Sequence, residues 1–190
     1  MSRSTFTVLL VFAIVCMADA GRLWSADTPA TAPSAGADEA ALRQEYQQQT
    51  ASLGGQRTFE QGVLTIRLPR ADLWVQADMG EIPTAAGIES SFCFYRCTCG
   101  KDKVVGQFVV ADYEVNDVID ALRAGQIEVV SVGAMFLGDK PRMMSLRFQG
   151  EGNVQNLTRT LAAALGWMGE ARSARQAIEG EQNTPPKSGS

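Results

Sequence analysis

The chain has 190 residues, enough for one domain with extensions, and its 45% hydrophobic and 20% charged residues are ordinary for a folded protein. A net charge of −4, with no cluster of Lys or Arg, leaves no footprint for nucleic acid or an anionic membrane surface. Histidine is absent, which removes both the commonest general base near neutral pH and the commonest transition-metal ligand. Chemistry would have to use carboxylates, thiols, hydroxyls or lysine.

The N-terminus reads as a targeting segment. Arg3 supplies a positive start, Phe6 to Met17 is a continuous apolar run too short to span a bilayer, and Ala18-Asp19-Ala20 fits a small-x-small cleavage pattern. Residues 1–20 are therefore expected to be a signal peptide, and the protein to be exported, periplasmic or extracellular. A retained anchor and lipidation at Cys16 are the two alternatives, the latter against a poor preceding Ala13-Ile14-Val15. No second long apolar run follows, so no transmembrane segment is expected in the mature chain.

Residues 21–37 are rich in Ala, Thr, Pro and Ser and read as linker. Asp38 to Leu53 can form a short helix with Leu42, Tyr46 and Leu53 near one stripe, ended by Gly54-Gly55; residues 21–58 are read together as linker with this candidate helix. The domain is expected over 59–169. Leu64, Ile66 and Leu68 alternate with polar residues, as do Leu73, Val75 and Ala77, and a Gly/Pro-rich loop spans Met79 to Gly87. Ser91–Cys97 and Val104–Ala111 are the third and fourth strands. The period then changes: Val115, Val118, Ile119 and Leu122 form a helical stripe, with Asp112 as N-cap and Gly125 as a left-handed stop. Ile127 to Leu137, a Gly138-Asp139-Lys140-Pro141 turn and Arg142 to Gln149 form a hairpin. Asn153 caps a second helix carrying Val154, Leu157, Leu161, Ala164 and Leu165, and residues 170–190 are polar and read as a disordered tail. The order ββββαββα predicts an α+β fold: a mostly antiparallel sheet of about six strands with two helices on one face.

Leu68-Pro69-Arg70-Ala71-Asp72-Leu73, Gly106 to Val110, Glu114 to Val118, Gly125 to Val129, Gly138 to Arg142 and the helix Leu157 to Leu165 resemble, in order and spacing, the LppY/LpqO family of exported bacterial proteins and lipoproteins, a domain of unknown function. The resemblance covers roughly residues 60–168, with room for one unit where many members resemble two in tandem. It implies a site built from histidines, L-H-x-H on the strand after the first helix and M/V-H-F on the next. This chain has Val132-Gly133-Ala134-Met135 and Leu146-Arg147-Phe148 there. A hairpin centred on Gly138-Asp139 sets Met135 opposite Met143, Gly133 opposite Ser145 and Ser131 opposite Arg147, so 133, 135 and 147 share a face. Glycine offers no side chain and arginine is a permanent cation, so a metal the family's imidazoles could hold is not expected here. Gly133, Met135, Ser145, Arg147 and Arg142 become candidate ligand-binding residues instead.

Cys93, Cys97 and Cys99 form C-x3-C-x-C. Cys93 and Cys97 lie roughly 13 Å apart on a strand, too far for a bridge, whereas Cys97 and Cys99 can join across a tight turn helped by Gly100. The readings are a Cys97–Cys99 disulfide with one leftover thiol, three inert thiols, or a thiolate site for a soft metal such as Cu(I), with help from Met135 or Met143. Methionines 135, 143 and 144 are more simply core filler. Glu114, Asp117 and Asp120 fall at i, i+3 and i+6; a solvated helix face explains them, and Glu114, at the helix mouth, is the best single candidate for a catalytic carboxylate. An Arg142–Asp72 or Arg70–Asp139 pair could fix loops.

These readings favour an exported, non-catalytic module that binds a cell-envelope protein or small ligand, without cofactor. The alternatives are a carboxylate-based, hydrolase-like enzyme, with Glu114 as base and Arg142 or Arg147 holding an anion, and a copper-binding protein working through Cys93, Cys97 and Cys99.

Overall fold

A computed structural model describes residues 35–170, 172 and 173; the expected signal peptide with Cys16, the linker before residue 35 and most of the expected tail lie outside them. Alternation of large apolar and small or polar side chains builds the main sheet. Its strands are β1 (Gln56–Glu60), β2 (Val63–Pro69), β5 (Glu89–Arg96), β6 (Asp102–Ala111), β7 (Glu128–Ala134) and β8 (Met143–Glu151). They hydrogen-bond in the order β1-β2-β5-β6-β8-β7, every pair antiparallel. The α+β expectation holds, with one rearrangement. Leu73 to Ala77 does not enter this sheet: β3 (Val75–Ala77) pairs with β4 (Gly80–Ile82) in a separate ribbon, within what reads in sequence as a loop. The sixth place is taken by β1, whose sequence QRTFE carries one apolar residue and gives no alternation to read.

Even-numbered residues of the central strands point to one face. Leu64, Ile66, Phe92, Phe94, Val104, Phe108, Val110, Leu146 and Phe148 form a single buried cluster with Val118 and Leu122 of α2 (Val115–Ala124) and with Val154, Leu157, Leu161 and Ala164 of α3 (Val154–Leu165). Gly106 sits in the middle of this face. A Cβ there would come within 2.9 Å of the Phe148 ring and 2.3 Å of the Ser91 carbonyl, so only glycine lets the rings of Phe92, Phe108 and Phe148 close over β6. A third helix, α1 (Ala35–Gln49), also packs here. Its Tyr46 is fully buried against Phe94 and donates to Asp102 Oδ1 at 2.7 Å, which makes α1 part of the folded unit rather than linker. The thin stripe of this helix hides that: one large aromatic takes the place of several aliphatic residues.

Both ends of α2 differ from expectation. Asp112 to Glu114 form a 3₁₀ turn ahead of the helix, and Asp112 accepts only from the next residue, Tyr113 N–H. At the C-terminus, Gly125 has φ −95°; the left-handed residue is Gln126, φ 61°. Ile127 N–H donates to Leu122 O and Gln126 N–H to Arg123 O, the paired bonds of a Schellman motif with Gln126 at the left-handed position. Gly125 is needed for another reason: a Cβ there would lie 2.0 Å from Thr160 Oγ1, so the glycine sets the close approach of α2 to α3. Asn153 caps α3 as expected, accepting from Gln155 N–H at 2.9 Å.

Odd-numbered residues face the other way. At one end that face is covered: Val75, Ile88, Val109 and Met143 form a small second core under the β3–β4 ribbon, with Met135 and Phe136 packed against it. The remainder of the face carries no helix among the described residues.

Candidate functional site

Arg70 lies just past the end of β2, where Pro69 closes the strand and Arg70 N–H donates to Ile88 O at 3.0 Å. Its guanidinium has five N–H groups and all five are used. Nε and one Nη2 proton hold both oxygens of Asp72 at 2.9 and 2.8 Å; Nη1 and Nη2 hold both oxygens of Glu114 at 2.8 and 3.0 Å; the last Nη1 proton goes to Val109 O at 2.8 Å. Arg70 and Glu114 side chains are 6% and 0% exposed, Asp72 22%. Glu114 also accepts from Ala111 N–H at 2.8 Å and from Gly169 N–H at 2.7 Å. Burial works to raise the Asp72 carboxyl, but hydrogen bonds from Arg70 and its positive charge outweigh it and hold Asp72 below its ordinary value.

This arrangement replaces the expected Arg142–Asp72 and Arg70–Asp139 pairs. Asp139 accepts instead from Met143 N–H at 2.6 Å inside the β7–β8 turn, and Arg142 is exposed on that turn. A general base must reach the proton it takes. Glu114 has both oxygens occupied by four protein donors, so although it lines a depression with Asp72 and Tyr113, neither oxygen is left to take a substrate proton. Its geometry is that of a clamp joining the end of β2, the start of α2 and the segment after α3. Of the other helix carboxylates, Asp117 pairs with Arg172 and Asp120 is exposed.

The expected hairpin register is the observed one: Ser131 opposes Arg147, Gly133 opposes Ser145, and Met135 N–H donates to Met143 O. The candidates on this face separate into groups. Met135 is drawn into the second core, and Gly133 faces open space, with nothing within 4 Å of where a Cβ would stand. Ser145 Oγ donates to Gln107 Oε1 at 3.3 Å. Arg147 lies one row further, where the register aligns Arg67, Ser91, Gln107, Arg147 and Ser131 across five strands. Here the open face dips into a depression of about 320 Å³ lined by Ser91, Val105, Gln107, Val130, Arg147 and Gln149. None of the ion pairs among the described residues includes Arg147, whereas Arg67, two strands away from Gln107, is held by Glu89 at 2.8 Å. Sequence reasoning misses Ser91, Gln107 and Gln149. Their odd positions on strands with apolar even positions carry the signal, but it needs the strand order to show that they meet Arg147.

The Cys97–Cys99 disulfide forms across the β5–β6 turn with Cα atoms 5.1 Å apart, and Cys93 is the free thiol among the described residues. Cys93 sits on the open face beside Thr65 Oγ1 at 3.7 Å. With two of the three thiols bonded to each other, the thiolate set of the copper reading is lost in this state. By loop entropy, closing so short a loop stabilises the fold by only roughly 1.5 kcal/mol.

No curated protein and no solved structure matches the chain. A family model described as Domain of Unknown Function (DUF1259) matches residues 47–166, a span that runs from the C-terminal end of α1 through α3 and includes the Arg70–Glu114 pair and the open face. By this match over most of its length, the chain belongs to the DUF1259 domain family.

Proposed function

We propose that the protein is an exported, non-catalytic binding module of the bacterial cell envelope, a single-unit relative of the LppY/LpqO proteins, which takes a small anionic ligand on the open face of its sheet. The observation that carries this reading is Arg147: a permanent cation without an ion-pair partner among the described residues, in a depression that it shares with the uncharged side chains of Ser91, Val105, Gln107, Val130 and Gln149. Guanidinium presents a planar fork suited to carboxylate or phosphate, and the Gln107 amide adds a neutral donor, while the Gln149 amide donates to Glu128 at 2.8 Å at the edge of the depression. The site has no nucleophile paired with a base, and Glu114 is committed to the clamp, which supports binding without turnover. The export reading rests on the N-terminal apolar run and Ala18-Asp19-Ala20.

Calorimetric titration of the mature chain with a panel of carboxylates, phosphate esters and sulfated sugars tests the site. Binding by at least one class, weakened tenfold or more in Arg147→Ala and little changed in Arg142→Ala, is the expected result. Binding that ignores Arg147→Ala, or no binding by any class, would remove it.

A further inference from the structure

The geometry points to Cys97–Cys99 as a thiol–disulfide exchange site, whose reaction partner is a protein or small-molecule dithiol. The turn that carries it does not depend on the bridge. Cys97 N–H donates to Lys101 O and Gly100 N–H to Cys97 O, both at 2.9 Å, and Gly100 supplies the left-handed residue, φ 79°. Just behind the turn, Arg96 grips Asp102 at 2.8 Å, Tyr46 donates to the same carboxylate at 2.7 Å, and Lys101 reaches Glu151 at 2.6 Å. The backbone bonds and these side-chain contacts already close the hairpin, so opening the disulfide leaves its supports in place.

Access and ring size set the chemistry. Thr98, Cys99, Gly100 and Lys101 are all exposed and Cys97 is half-buried, so an incoming thiolate meets Cys99 first. A bridge between residues two apart closes the smallest loop compatible with one intervening residue, and it constrains the unfolded chain least. Exposed bridges with little structural role are the labile ones. Cys93, four residues upstream on the extended strand and so roughly 13 Å from Cys97, is too far to serve as a third partner.

In the reaction, a thiolate of the dithiol attacks Cys99 Sγ, the Sγ–Sγ bond breaks, and the electron pair leaves on Cys97 as a thiolate. The second thiolate of the partner then attacks the mixed disulfide and releases Cys99. The dithiol is oxidised by two electrons to its disulfide, and Cys97 and Cys99 become two thiols.

The full chain in a Cys16→Ser, Cys93→Ser background leaves only this pair to count. Under native conditions, in glutathione buffers of graded reduced-to-oxidised ratio, acid quenching, alkylation and mass measurement should show the pair titrating within the range of the glutathione couple. The reduced protein should keep its unfolding temperature to within about 6 °C, as the small loop predicts. A pair that stays oxidised across the whole glutathione range, or opens only in denaturant, overturns the inference, as does global unfolding on reduction. Cys97→Ser, which leaves the exposed Cys99, should form a mixed disulfide with oxidised glutathione several-fold faster than Cys99→Ser; the reverse order overturns the assignment of Cys99 as the attacked sulfur.

Discussion

Glu114→Ala should be among the most destabilising single substitutions in the molecule. It removes both acceptors of two Arg70 donors and also strands Ala111 N–H and Gly169 N–H. Breaking a buried ion pair from one side costs about 3–5 kcal/mol, and each stranded buried donor about 1–3 kcal/mol. Asp72 still neutralises Arg70, which keeps the total near the lower sum, about 5 kcal/mol, or a fall of roughly 10–20 °C in unfolding temperature. Asp72→Ala removes two hydrogen bonds from the same guanidinium but from its solvent-facing side, where water can replace them, and should cost about 1 kcal/mol. Glu114→Gln is the sharper variant. It keeps the shape but turns an NH₂ toward donors already pointing inward, so it should lose most of what alanine loses. Urea unfolding followed by far-UV circular dichroism measures all three. If Glu114→Gln proves as stable as the parent, or if Asp72→Ala costs as much as Glu114→Ala, the clamp is not what holds these three segments together.

Asp72 also gives a pH dependence. Its folded carboxyl sits below its unfolded value, so the stability it contributes is present above the unfolded carboxylate range, near pH 4, and drains away as pH falls through the lower folded value. The stability gap between the parent and Asp72→Asn should therefore be flat from pH 7 to about 5 and close in stronger acid, as equilibrium urea melts at each pH would show. Gln126→Gly should stabilise the protein by about 0.5–1 kcal/mol by relieving a left-handed glutamine, whereas Gly125→Ala next to it should cost about 2–3 kcal/mol because Thr160 occupies the space; paired melts of the two variants check the opposite signs. Tyr46→Phe should cost about 1–2 kcal/mol through the lost bond to Asp102 and speed amide exchange in α1 more than in α2 or α3, as hydrogen exchange would show.

Local patterning alone determined much of this protein. The alternation of β2, β5, β6 and β8, the helical stripe of α2, the Asn153 cap and the β7–β8 register could be read directly, because each depends on residues a few positions apart. A two-residue period leaves no freedom in which strand residues share a face once the turn is placed. The C-x3-C-x-C spacing excluded a Cys93–Cys97 bridge by reach and left a Cys97–Cys99 bridge as one open reading, which the structure adopts. Tertiary structure decided everything that depends on distant neighbours. Gln56 to Glu60 became the edge strand because β2 offered an unpaired edge, not because its own sequence alternates. Tyr46 anchored α1 because Asp102, 56 residues away, receives its hydroxyl. Gly125 was fixed by Thr160 on the neighbouring helix and not by its own backbone angle. Above all, Arg70 and Glu114 meet across 44 residues, and only that meeting turns a carboxylate that resembles a helix-mouth base into a saturated structural anion. A side chain's chemistry is set by which groups fill its hydrogen-bonding capacity, and those partners come from strand order and helix packing, which no local window contains.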